Sequence, residues 1–299
     1  MASGYRGGDR RGSRRRRKLR TGLAVALFVV ALALVGVVAW LAFGTPGASP
    51  HQVAAERAHR EGRLDEAIAG YRQLLVEDPA NHQARWRLGQ ACLARNDLHA
   101  AVAAFRAVHA AVPGSRSALA LAESLLRAGS TEEARGVLRN WLAFRSEDVE
   151  VRRALASVEL DAGHASAALH ELELVLDAAP DDVMTLTTLA WLYDDAGDQR
   201  ALVLAERARQ LQPDAAGVAD TLGWLLVRRG ELQRGMQLLE QAHGAAPAEP
   251  AVAYHFAYAL ARAGDSSRAA AVLRELLAGT AVHEVRDEAQ RLLLELGGS

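Results

Sequence analysis

The sequence predicts an all-α protein: a solenoid of about seven helix-turn-helix repeats, closed by a C-terminal cap helix and preceded by one transmembrane helix. Three observations carry that prediction. A small helix-ending residue recurs at Gly62, Asn96, Gly129, Gly163, Gly197, Gly230 and Gly264, in steps of 33 or 34 residues. A second series, Pro79, Pro113, Ser146, Pro180, Pro213 and Pro247, keeps the same steps. Two independent markers sharing one period mean stacked repeats. The third observation is a run of 23 residues, 21–43, without a single charge.

The run comes first in the chain. As a helix it covers about 34 Å, enough for a hydrocarbon core of about 30 Å. Residues 1–20 hold nine basic groups against Asp9, with Arg14, Arg15, Arg16, Arg17, Lys18 and Arg20 next to the run. Residues 44–50 carry no charge. The positive-inside rule then leaves 1–20 in the cytoplasm and places the rest beyond the membrane. The rival is a cleaved signal peptide, whose apolar region is usually shorter, about 7–15 residues. The arginines could also be read as a nucleic-acid patch; beside a span, they set orientation and meet anionic lipid. No cysteine follows the span to carry a lipid. The expected organisation is a basic tail (1–20), the span (21–43), a linker (44–51), the array (52–281) and a cap (282–299). Repeats are expected at about 48–81, 82–114, 115–148, 149–182, 183–215, 216–249 and 250–281.

Each repeat reads as helix, turn, helix. The small residue supplies a left-handed end to the first helix. Asp97, Ser130, Asp198 and Asp265 stand where they could cap the second helix. The prolines stop that helix, because the residue before proline avoids the α region. Inside it a small residue recurs at Ala67, Ala101, Ala134, Ala168, Ala201, Gly235 and Ala269. Four residues on comes a larger one: Tyr71, Phe105, Leu138, Leu172, Leu239 and Leu273. Small against large at fixed positions lets neighbouring helices interlock. The stretch VHEVRDEAQRLLLEL has an apolar and a charged face and suits the solvating cap that such arrays need.

The run DTLGWLLVRRGELQRGMQLLEQAHGAAP, with Leu222, Gly223, Gly230, Gly235, Leu239, Ala242 and Pro247, resembles the tetratricopeptide repeat (TPR) family. RWRLGQACLARNDLHAAVAAFRAVHAAVP resembles it through Leu88, Gly89, Ala101, Phe105 and Pro113. The resemblance covers residues 52–281. Ser146 replaces a terminal proline, and the repeat after Gly197 is one residue short. It implies a right-handed superhelix whose first helices line a concave groove that binds partner proteins. The groove positions it implies hold Trp86 and Gln90, then Arg116, Glu123 and Arg127, then Arg153 and Ser157. Further along they hold Thr187, Trp191 and Asp194, then Asp220, Trp224 and Arg228, and last Tyr254, Tyr258 and Arg262. The Lys and Asn set with which some members clamp a chaperone carboxylate is missing; Gln52, Trp86, Arg153, Ser157 and Asp220 stand there.

Trp191, Trp224, Tyr254 and Tyr258 fall in three consecutive repeats, in a chain with five Trp in all. Large aromatics beside arginine are the makings of a binding hot spot. They would equally serve to pack helix on helix, as Trp141 does on a second helix, or to stack on sugar rings.

The sequence holds no other recognisable chemistry. Outside residues 1–20 there are 26 basic against 35 acidic residues, which excludes a nucleic-acid-binding body. One cysteine, Cys92, excludes an internal disulfide and falls at a core position. His99 and His109, and His164 and His170, lack the spacing that puts two imidazoles and a carboxylate on one face. No acid partner is implied for His255. Asp181–Asp182 and Asp194–Asp195 fall at turns and helix ends, where they cap or solvate. No metal, cofactor or catalytic residue is expected.

LAWLY (189–193), RALVLAERA (200–208) and DTLGW (220–224) are similar to bacterial TPR proteins of exopolysaccharide and exosortase (PEP-CTERM) systems. The arginine bias, 34 Arg to one Lys, fits a GC-rich bacterial genome. The expectation is a non-enzymatic scaffold in the inner membrane, single-pass, with its array periplasmic or extracytoplasmic. It would gather partner proteins of an envelope assembly such as exopolysaccharide export or protein sorting. The alternative is a glycan-binding or glycan-processing module, with polysaccharide on the groove aromatics.

Overall fold

The computed structural model describes residues 49–279 and 285–297, and these form fifteen helices and no strand. The expected span, the basic residues before it and the start of the cap segment lie outside the described residues. Among the described residues no helix is long and apolar enough to cross a membrane. In chain order the helices are α1 (Pro50–Arg60), α2 (Leu64–Glu77), α3 (His82–Ala94), α4 (Leu98–Ala111) and α5 (Ser115–Arg127). Then come α6 (Thr131–Phe144), α7 (Val149–Asp161), α8 (Ala165–Ala178), α9 (Val183–Asp195) and α10 (Arg200–Leu211). The last are α11 (Ala216–Arg228), α12 (Leu232–Ala245), α13 (Pro250–Arg262), α14 (Ser266–Ala278) and α15 (Arg286–Gly297). First and second helices alternate, two to a repeat, with α15 after the seventh pair. The chain forms two compact units, Met1–Arg95 and Asn96–Ser299.

The turns explain the first marker series. All seven of its residues have positive φ, from 64° at Asn96 to 89° at Gly230. After α5, the Gly129 N–H bonds the Leu126 carbonyl at 2.9 Å and the Ser130 N–H bonds the Leu125 carbonyl at 2.8 Å. The same two bonds close the turns after α7, α9, α11 and α13. They satisfy carbonyls that the helix end would otherwise leave open, and only a left-handed residue brings the chain round to make them. Asp97 and Asp265 cap α4 and α14 through their side chains, as expected. Ser130 stands at the N-cap of α6 but makes no cap bond with its side chain. Asp198 is not a cap residue: α10 begins at Arg200 after Gln199, and the Asp198 carboxylate accepts the Arg200 N–H one position early. The deletion in this repeat leaves α10 with 12 residues and shifts the acid out of register.

The small-large series is the core. Ala67, Ala101, Ala134, Ala168, Ala201 and Ala269 have no exposed surface, and Tyr71, Phe105, Leu138, Leu239 and Leu273 at most 1%. In the second unit one cluster joins Ala156, Leu172, Leu189, Tyr193, Ala205, Leu222 and Leu226, so α7 to α11 share a single apolar seam. Ala289, with Leu292, Leu293 and Leu296, seats α15 on Ala253, Ala257, Leu273 and Leu276.

Polar groups tie repeat to repeat. On the exposed side, pairs recur between successive second helices: Arg106 with Glu133, Arg200 with Glu173 at 3.4 Å, Arg234 with Glu206 at 2.5 Å and Arg268 with Glu240 at 3.1 Å. Inside, Glu159 of α7, 1% exposed, meets Arg135 Nε at 3.2 Å, Arg139 Nη2 at 2.7 Å and His164 Nδ1 at 2.9 Å. Asp148 caps α7 by accepting the Val151 N–H at 3.2 Å, and it accepts Trp141 Nε1 at 2.7 Å and the Ser115 hydroxyl.

Burial alone would raise both carboxyls. At Glu159 the His164 hydrogen bond and the Arg135 and Arg139 charges outweigh it, and at Asp148 the Ser115, Trp141 and backbone bonds do, so both sit below the usual range. A depressed carboxyl stabilises the fold above its unfolded value, and that contribution is lost as pH falls through the folded value. Thermal unfolding followed by circular dichroism should therefore show a flat midpoint above about pH 5 and a falling one below about pH 4. Glu159→Gln should shallow the fall.

Candidate interaction site

The expected groove residues come from the first helices, and α9, α11 and α13 bring five of them together. Asp220 and Trp224 are four apart on α11 and so share a face. Asp220 is buried, 6% exposed, and so is His255 of α13 at 7%. The two Asp220 oxygens lie 2.9 and 3.0 Å from His255 Nδ1. This two-pronged contact fixes the plane of the imidazole. The imidazole stacks on Trp224 with centroids 4.2 Å apart and planes 25° apart, and on Trp191 of α9 at 5.5 Å and 29°. Trp191 Nε1 donates to the Thr221 hydroxyl at 3.1 Å, and that hydroxyl donates back to the Gly217 carbonyl at 2.8 Å. Tyr258 meets Trp224 edge-on at 5.1 Å, and Tyr254 lies tilted at 6.1 Å. Burial, with Glu288 of α15 nearby, pushes the Tyr254 phenol up, so it stays neutral. Trp191, Trp224, Tyr254 and Tyr258 are all half-buried: each packs on a neighbour and keeps surface for another molecule.

The other expected residues stand apart from this cluster. Arg228, at the end of α11, pairs with Asp194 at 2.7 Å and Asp195 at 3.5 Å, and Arg229 reaches the same Asp194 at 3.4 Å. Arg262, at the end of α13, is exposed. Arg153 lies on α7, 3.4 Å from Asp182, which also caps α9. Ser157 is exposed on the same helix, and the Thr187 hydroxyl turns back to the Val183 carbonyl at 3.0 Å. Arg127 donates to Asn96 at 3.2 Å. Trp86 and Gln90 belong to the first unit, where Gln90 accepts from Arg87 at 3.2 Å. The orienting residues Arg14 to Arg17, Lys18 and Arg20 lie outside the described residues.

His255 is the residue that sequence reading missed. No acid partner was implied for it, and the structure corrects this: Asp220 is that partner. The two are 35 residues apart, one repeat plus one position, so a residue on α11 faces the next one along on α13. A search one repeat away, rather than along one helix, would have paired them. His109 meets the Ser117 hydroxyl at 2.9 Å and His164 meets Glu159 at 2.9 Å. Cys92 is fully buried, at 0%.

A stack of helix pairs with half-buried aromatics and a set polar pair on its first helices defines a helical-repeat interaction protein. The comparisons name the repeat. The tetratricopeptide repeat family model matches residues 53–116 and 96–149. Residues 53–149 thus match tetratricopeptide repeats. A TPR repeat-containing protein of Pseudomonas aeruginosa is 33% identical over 97 residues, 31% of this chain; the chain spans about 14% of the length of that curated relative. Among solved structures, a tetratricopeptide repeat protein from Parabacteroides merdae superposes with a TM-score of 0.64 at 15% identity, over 80% of this chain and 96% of its own. PilF of Pseudomonas aeruginosa gives 0.56 at 17% identity, over 69% and 97%. The Cut9–Hcn1 hetero-tetramer of the APC/C gives 0.62 at 17%, over 81% and 48%. At these identities the likeness is one of fold.

Proposed function

We propose that this chain is a membrane-tethered, non-enzymatic scaffold that takes a partner protein on the face of its first helices, centred on repeats five to seven. The observation that carries this reading is the ring set Trp191, Trp224, Tyr254 and Tyr258, held on three successive first helices around the Asp220–His255 pair. Half-exposed aromatic anchors over a satisfied buried polar pair are built as binding hot spots are. A sugar platform is less well supported: one face of Trp224 already carries the imidazole and Tyr258 meets it edge-on, so little flat indole is left for a pyranose. The tether rests on the uncharged run 21–43 and the basic cluster before it. With the basic tail in the cytoplasm, the array stands in the periplasm or outside the cell. The wording of LAWLY (189–193), RALVLAERA (200–208) and DTLGW (220–224) is what suggests a place in an envelope assembly. Tethering raises the local concentration of partners in the same membrane, so a modest affinity suffices.

The test is in-membrane crosslinking from the full-length chain. Trp191→Ala with Trp224→Ala should abolish partner capture, since each hot-spot truncation removes about 2 kcal/mol or more. Circular dichroism should still show a folded array. If the double variant merely unfolds, Arg262→Glu at the exposed end of α13 decides. A loss of capture supports a groove there, and unchanged capture makes the rings a packing feature.

A further inference from the structure

The first unit holds a cavity of about 240 Å³, lined by Glu56, His59 and Arg60 of α1, Tyr71 of α2 and Arg87 of α3. Tyr71 is 1% exposed, and its hydroxyl lies 3.3 Å from His59 Nδ1. Burial and the Arg87 charge hold the imidazole below its usual range, and burial pushes the Tyr71 phenol up, so both are neutral at pH 7. Among the described residues, neither arginine of the cavity pairs with a carboxylate. Arg87 donates to the neutral Gln90 at 3.2 Å, and Arg60 to the Glu56 carbonyl of its own helix at 3.5 Å. The acids beside them are occupied: Glu56 accepts from Gln52 at 3.0 Å, and Glu61 from Arg63 at 3.0 Å.

Two guanidiniums without counter-ions in one cavity define an anion site. The donors come from three helices, and this selects the anion. A carboxylate is flat and is satisfied by one guanidinium fork, whereas a phosphate turns oxygens in several directions. With His59 neutral, Arg60, Arg87 and Glu56 leave one net positive charge, which the single negative charge of a phosphodiester matches. The cavity is smaller than the usual drug-sized pocket of about 300–1,000 Å³ and suits one such group. Residues 49–95 hold seven Arg and six acidic residues, and residues 96–299 hold 19 Arg against 29 acidic ones. An anionic surface is therefore repelled by the later repeats and not by the first. Residues 44–49 separate the uncharged run from α1, and such a stretch spans at most about 20 Å.

We propose that this cavity binds a phosphate group through Arg60 and Arg87, beside the Tyr71–His59 pair, and that the source is a lipid headgroup of the tethering membrane. The site stands on the cavity; the headgroup source rests on the tether proposed above. A headgroup held there seats the first repeat on the bilayer.

The experiment uses the full-length chain in neutral detergent at constant ionic strength. The probes are inorganic phosphate, dihexanoyl phosphatidylglycerol and acetate. Calorimetry should show phosphate and the lipid competing for one site, with acetate at least tenfold weaker. Arg87→Gln should weaken both phosphate probes about tenfold, the loss of one charge-assisted hydrogen bond. Arg60 and Arg87 are exposed, so the array should stay folded, and Arg72→Gln, at an exposed α2 residue outside the cavity, should change nothing. Imidazole NMR should show His59 titrating higher once phosphate is added, because the anion offsets the Arg87 charge. That rise should shrink in Arg87→Gln. No binding of either phosphate probe, or binding indifferent to both Arg87→Gln and Arg60→Gln, overturns the inference. Acetate binding as tightly as phosphate overturns it too. Inorganic phosphate binding while the lipid does not keeps the site and rejects the headgroup source. Carbonate extraction of membranes reads the tether separately: release of the wild-type chain overturns the tether, and the headgroup source with it, and leaves the phosphate site standing.

Discussion

Glu159→Ala is expected to destabilise the junction of repeats three and four by about 3–5 kcal/mol, the usual cost of stripping one partner from a buried ion cluster. The reason is what it leaves behind. Arg135 is almost as buried as Glu159, with a side chain 7% exposed, and Arg139 and His164 converge on the same carboxylate. Without the carboxylate, Arg135 keeps Glu132 at 2.6 Å, but that acid is 81% exposed and lies in high dielectric. Repeat arrays unfold through nearest-neighbour terms, so the loss should be local. Hydrogen exchange should quicken in α6 and α7 well before it does in α13 and α14. Uniform quickening along the array would contradict this account.

The second large effect is expected at Gly235→Val. A Cβ on Gly235 would sit 2.7 Å from the Gly223 carbonyl oxygen and 2.6 Å from Val227 Cγ2, and one on Gly223 would sit 3.0 Å from the Gly235 oxygen. The obstacle is backbone on both sides, so no rotamer can yield, and α11 must move away from α12. Overpacking of this kind costs about 1–3 kcal/mol and occasionally more. The branched side chain puts this variant at the upper end, with Gly235→Ala below it. Because Trp224 follows Gly223 directly, Trp fluorescence should change along with the unfolding midpoint. Gly136→Ala is the control: a Cβ there meets nothing within 4 Å. Helix propensity alone should then make it stabilising by about 0.5–1 kcal/mol.

The repeat was legible because its markers are backbone requirements. A positive φ at Gly129 or Gly163, and a proline after a helix, are demands on a single residue that the sequence records directly. Capping was legible where the period held, at Asp97 and Asp265. It failed at Asp198, where the shortened α10 moved the acid out of step. That Trp191, Asp220, Trp224, Tyr254 and Tyr258 share the first helices was legible from the family pattern. His255 was not, because its meaning depends on a carboxylate one repeat away, and spacing along a single helix carries no trace of that. Gly235 was legible as a small residue where other repeats have alanine. That even a methyl is too large there depends on the Gly223 backbone opposite, which only the packed helices reveal.

The Arg–Glu rungs between successive second helices lie in water, where each contributes little to stability, about 0–1 kcal/mol. Their shared placement matters more than their strength. They couple neighbouring repeats through their second helices, while the ring set couples first helices by aromatic contact. Added salt weakens exposed ion pairs and leaves ring stacking largely untouched. Raised ionic strength should therefore loosen the second-helix side of these repeats before it disturbs the rings.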